Sequence, residues 1–158
     1  MRLQIVISTI AALLITAEPM CAASDVAIVV NKANTGADGM TAKQLKQIFS
    51  GEKARWADGQ KIQTLATGAA EPEHKVAIQF LFGMSEAEYQ KYCLHAVFVG
   101  TPQAVPRDSG ASSAVLNLVA LIPGAIGFVR ADLVNATVKV VKIDGLGPGD
   151  AGYALAGK

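Results

Sequence analysis

The sequence predicts an α/β layered domain built on a central sheet, and three observations carry that expectation. Apolar runs of strand length alternate with segments of helical period. Gly-, Pro-, Asn- and Asp-rich turns separate them. The length, 158 residues, is that of one domain.

Residues 26–30 form a continuous apolar run and read as a buried strand, followed by loop chemistry over 31–39. Thr41 opens a helix, with Gln44 completing a capping box and Leu45, Ile48 and Phe49 on one face; Gly51 stops it. Residues 62–66 read as a strand and 67–72 as a turn. From Glu73 the period is helical, with Val76, Ala77, Phe80 and Leu81 inward and Gly83 as the stop. Ser85 and Glu88 form a second capping box, opening a helix whose inner face is Tyr89, Tyr92, Cys93 and Ala96. Residues 99–109 read as a loop with Pro102 and Pro106. Residues 111–122 read as a helix presenting Val115, Leu118, Val119 and Ile122. Strands are expected at 126–129 and 137–143, then a glycine-rich tail from Asp144.

The first residues read as a secretory signal. Arg2 precedes an apolar stretch over 5–15, and Cys21-Ala22-Ala23 offers small residues for cleavage, so the expected division is a leader at 1–23 and a binding domain at 24–158. Glu18-Pro19-Met20 does not match the small-residue box that precedes a lipidated cysteine. The mature chain is expected to be exported, periplasmic or secreted, with no membrane span. Cleavage leaves Cys93 alone, so the fold must rest on an apolar core and not on a disulfide. A net charge of +1 with scattered charges argues against nucleic acid as a partner.

Catalytic constellations are scarce. Gly147, Gly149 and Gly152 match the spacing of a nucleotide fingerprint, but Pro148 interrupts it and only six residues follow. His74 and His95 lack the spacing of a helical metal pair, and Cys93 sits on an apolar helix face with no activating cation beside it. The expectation is therefore a non-enzymatic protein without cofactor or metal. Two turns that precede helices remain. Thr67, Gly68 and Ala69 lead into one helix, with His74 in its first turn; Arg107, Ser109, Gly110 and Ser112 lead into another. Free N–H groups and helix dipoles meeting at one place would hold a small oxyanion. Ordinary helix capping is the alternative reading of the same residues.

Ile48-Phe49-Ser50-Gly51 followed by Trp56-Ala57-Asp58-Gly59 resembles a signature of the periplasmic phosphate-binding proteins of ABC transporters, in the type 2 periplasmic-binding-protein superfamily. Pro123-Gly124-Ala125-Ile126-Gly127-Phe128-Val129 is similar to their PGAIGYV strand entry. Ile143-Asp144-Gly145, Pro148 and Tyr153-Ala154-Leu155 resemble their I-D-G, P and Y-P-L segment. The resemblance implies a single three-layer lobe, a mixed central sheet flanked by helices, binding a small anion, phosphate first. It also implies an ABC transporter component or another envelope protein as partner. Trp56 is expected to pack near Phe49 and find a partner for its indole N–H.

Two departures stand out. The chain is roughly half the size of these two-lobed proteins. Where they carry Arg-Ser-Asp-x-Ser-Gly-Thr, this chain has residues 66–72 with Glu71 and no arginine or serine. An open lobe would bind weakly, about micromolar to millimolar. The other reading is an interaction module without ligand, docking on an envelope protein or on itself, its glycine-rich tail lacking a second lobe to join.

Overall fold

The computed structural model describes residues 24–101 and 104–157; the expected leader at 1–23 and Pro102 lie outside the described residues. The strand β1 (Val26–Asn31) is buried along its whole length, as its unbroken apolar run requires. It pairs antiparallel with β5 (Ala125–Arg130) on one side and β6 (Val138–Val140) on the other. β3 (Gln63–Ala66) runs parallel to β5 and to β4 (Arg107–Asp108), so the sheet is mixed, in the order β4-β3-β5-β1-β6. A separate parallel pair joins β2 (Gly39–Met40) to β7 (Lys142–Ile143).

Strand alternation divides the core into two layers. Val26, Ile28 and Val30 of β1, with Ile126 and Phe128 of β5, face α1 (Ala42–Phe49), α2 (Pro72–Phe82) and α3 (Glu86–Phe98). Ala27, Val29, Ala125 and Val129 face Val115, Leu116 and Val119 of α4 (Ser112–Leu121). The result is a single α/β lobe with a mixed central sheet flanked by helices. No helix among the described residues is long and apolar enough to cross a membrane.

Gly127 sets how closely α4 approaches the sheet. A Cβ there would lie 2.8 Å from Val115 Cγ1 and 3.1 Å from the Leu65 carbonyl oxygen. Val115 is β-branched on a helix and has little rotamer freedom to retreat. Gly127→Ala is therefore expected to cost about 1–3 kcal/mol, read as a lower midpoint in chemical denaturation.

Several expectations need correction. The stretch 137–143 is two strands, because its two parts pair with different partners: Val138–Val140 with β1, and Lys142–Ile143 with β2 in the separate pair. On α2 the deepest residues are Glu73, His74, Ala77, Ile78 and Leu81, while Val76 and Phe80 are half-buried. The 99–109 loop contains β4, and Cys93 is half-buried, not sealed in the core. The tail does find a place to dock. Tyr153 donates its hydroxyl to the Val26 carbonyl at 2.8 Å, Leu155 is fully buried, and the Val26 amide donates to the Leu155 carbonyl at 2.9 Å. It packs on its own lobe, which removes it as support for a missing neighbour.

Candidate functional site

Parallel pairing of β3 and β4 brings their following turns side by side at the carboxyl edge of the sheet, the position where open α/β sheets present ligands. The turns are tied together. The Gly68 amide donates to the Gly110 carbonyl at 2.8 Å and the Ser109 amide to the Ala66 carbonyl at 2.9 Å. Gly110 adopts φ of 77° and donates its own amide to Asp108 Oδ1 at 2.9 Å. A positive φ at that tip suits glycine.

From these turns rise α2 and α4, and neither begins with a side-chain cap. The N-cap of α2 is Glu71, followed by Pro72, and its carboxylate makes no capping bond; the N-cap of α4 is Ala111. By contrast, α1 and α3 carry complete capping boxes at Thr41/Gln44 and Ser85/Glu88. Side-chain capping thus accounts for the helix starts away from the carboxyl edge and not for the two at it.

The residues singled out from sequence separate into groups. Thr67, Gly68, Ala69 and Gly110 lie in the paired turns. Thr67 is fully buried, its Oγ1 has no hydrogen-bond partner, and its carbonyl accepts from His74 Nδ1 at 2.5 Å. A carbonyl only accepts, so Nδ1 carries a proton. The other ring nitrogen, Nε2, faces Glu86 Oε2 at 3.5 Å. Arg107 is exposed on the edge strand, and the half-buried Ser109 donates its hydroxyl to the Arg107 carbonyl at 3.2 Å. Ser112 is buried and turned away from the turn surface. Its hydroxyl donates to Glu73 Oε1 and accepts the Arg130 amide at 3.0 Å.

Glu73 is the residue that sequence reasoning missed. It is 2% exposed, and its second oxygen has no partner among the described residues. Its carboxylate joins the first turn of α2 to the first turn of α4, where both helix dipoles favour negative charge. Arg130 stands nearby. Its guanidinium holds its proton more tightly than usual, chiefly through its hydrogen bonds to Asp132 and to a lesser degree through the charges of Glu73 and Glu71. The spacing of Glu73, Ala77 and Leu81 at i, i+4 and i+8 was the available signal, since it continues the buried stripe into the first turn.

Beside the turns, toward α3, lies a cavity of about 520 Å³ lined in part by Ala69, His74, Glu86, Tyr89 and Cys93. Burial pushes the Tyr89 phenol and the Cys93 thiol up from their ordinary values. Among the described residues, no group of three or more His, Cys, Asp or Glu side chains could hold a metal ion.

No protein-family model matches the chain, and no curated protein matches it. Solved structures do match its fold. A substrate-binding protein of Clostridium perfringens with bound phosphate aligns with a TM-score of 0.63 at 20% identity, over 80% of this chain and 48% of that one. An ABC-type phosphate transport receptor of Vibrio cholerae aligns at 0.62 and 23% identity, over 80% and 49%. A phosphate-binding protein of Stenotrophomonas maltophilia aligns at 0.55 and 21%, over 80% and 41%. The lobe has the architecture of type 2 periplasmic-binding proteins, and the chain spans about half the length of the structures it matches.

Proposed function

We propose that the chain is an exported, non-enzymatic binding lobe that takes a small oxyanion, phosphate first, at the paired starts of α2 and α4. The observation that carries this reading is the contrast in capping: the two helix starts at the carboxyl edge lack side-chain caps, and the other two have complete capping boxes. Solved proteins of the same architecture that are described as phosphate binders support it. In this reading the amides of Thr67, Ala69 and Ser112 supply donors, Gly68, Ser109 and Gly110 hold the paired turns in place through their own amides, and Arg107 or His74 supplies charge. Export rests on the leader-like residues 1–23, and an ABC transporter component is the corresponding partner.

A second reading is favoured by Glu73. A buried carboxylate already occupies the space between the helix starts, as an anion would. The lobe would then be an interaction module whose former ligand face docks on an envelope protein or on a second copy.

Thermal unfolding separates them. A ligand at a hundred times its dissociation constant stabilises by about 2.7 kcal/mol, a shift of several degrees for a domain of this size. Oxyanion binding is expected to raise the melting temperature with millimolar phosphate and not with chloride at equal ionic strength. No shift with phosphate, sulfate or nitrate rejects the oxyanion reading. A single monomeric species in light scattering then removes self-association from the second reading.

A further inference from the structure

We infer that the cavity between α3 and the β3–α2 turn is a separate ligand site that takes a small apolar amine in its ammonium form. Its walls and its polar groups lead to different halves of that ligand. Tyr89, Leu94, Val105 and Pro106 supply an apolar lining large enough for one aromatic or branched aliphatic group, in a space of about 520 Å³. The titratable groups of the lining come from three elements: His74 on α2, Glu86 on α3 and Asp108 on β4, with Gln90 of α3 as the neutral polar residue.

Two of these groups, His74 and Glu86, ask for a donor. His74 is 5% exposed, and its Nε2 is without a hydrogen-bond partner. Because Nδ1 spends its proton on the Thr67 carbonyl, Nε2 of the neutral ring offers a lone pair. Glu86 Oε2, also buried and without a hydrogen-bond partner, lies 3.5 Å away. Two acceptors that close are stabilised by a donor set between them, and leaving buried acceptors unmet is costly. Asp108 adds a second carboxylate, with one oxygen engaged by the Gly110 amide. Among the described residues no lysine or arginine lines the cavity. An ammonium group has three donors and a positive charge, which answers both the unmet acceptors and the uncompensated carboxylates. A carboxylate or phosphate ligand would meet like charge. The amine site therefore differs in sign from the oxyanion site next to it, and with His74 serving as an acceptor here the charge for an oxyanion falls to Arg107.

Cys93 lines the same cavity and reports on its occupancy. The test is the rate of maleimide labelling of Cys93 in the purified full chain, followed by peptide mass so that Cys21 does not contribute. Phenethylamine, charged near pH 7 as an alkyl amine, is compared with 2-phenylethanol and phenylacetate. Phenethylamine is expected to slow labelling saturably. The alcohol should need about tenfold more to match it, the loss expected for a hydrogen bond to a charged partner, and phenylacetate should give no protection. Glu86→Gln should weaken the amine about tenfold while melting near the wild-type temperature. Val105→Phe, which fills the cavity from a half-buried loop position, should abolish protection without touching the charges. Equal protection by amine and alcohol, protection by none of the three, or wild-type amine affinity in the Glu86→Gln protein overturns the proposal.

Discussion

Replacing Trp56 by alanine is expected to lower the melting temperature by roughly 10 °C or more. The ring is 6% exposed and belongs to the same core layer as Phe49, so its removal leaves a large void, costing about 3–5 kcal/mol. Part of the loss is a specific link. The indole N–H donates to the Gly124 carbonyl at 2.9 Å, and the same oxygen accepts the Gln63 amide at 3.2 Å, where β3 begins to pair with β5. Trp56 thus pins the charged loop to the sheet at the entry of the strand whose other end carries Thr67. Trp56→Phe keeps most of the ring and loses that bond, for about 1–2 kcal/mol. Gly124→Ala attacks the same junction from the other side. Gly124 has φ of 81°, and a Cβ there would lie 2.5 Å from the Lys61 carbonyl oxygen. The Trp56→Phe, Gly124→Ala double variant should be more stable than the sum of the single losses implies, because both break one junction. Strict additivity in a denaturation cycle would show that the two residues act separately.

What was legible in the sequence was mostly what is local. Thr41 with Gln44 and Ser85 with Glu88 are contacts three residues apart, and both capping boxes form. The unbroken apolar run of β1 reads as a buried strand, and it forms one. The stretch around Trp56 has a structural reading, in which the indole N–H finds a partner, and the bond that fulfils it spans 68 positions. Elements that depend on distant partners were hidden. Arg107–Asp108 is exposed and has no apolar pattern, and it becomes a strand only by pairing with Leu65 and Ala66. The two-residue β2 and β7 exist only because each meets the other. Glu73 looked like an ordinary acidic residue in a first turn, since its partner Ser112 lies 39 positions away.

Under the proposed oxyanion reading the Glu73 carboxylate limits what the edge can bind, and Glu73→Gln tests it. The substitution keeps the shape and an oxygen able to accept from the Ser112 hydroxyl, while removing the negative charge. Burying a charge is costly, so folding stability should hold or rise slightly. Phosphate affinity is the discriminating readout. A unit charge about 4 Å away is worth about 4 kcal/mol at an effective dielectric of 20. If the oxyanion approaches the helix starts, the neutral amide of the Glu73→Gln protein should tighten phosphate by at least about tenfold, allowing for solvent screening. Unchanged affinity would place any bound anion away from these helix starts, and no binding in either form would leave Glu73 as a strut of the interaction surface. The strut has its own signature. Ser112→Ala strips the partner from Glu73 Oε1 and from the Arg130 amide together, an expected loss of about 2–5 kcal/mol. In the Glu73→Leu background the same alanine should cost much less, because no buried charge remains to be abandoned. A carboxylate that serves only the fold will show this coupling with no change in anion titrations; one that stands in for a ligand will show both.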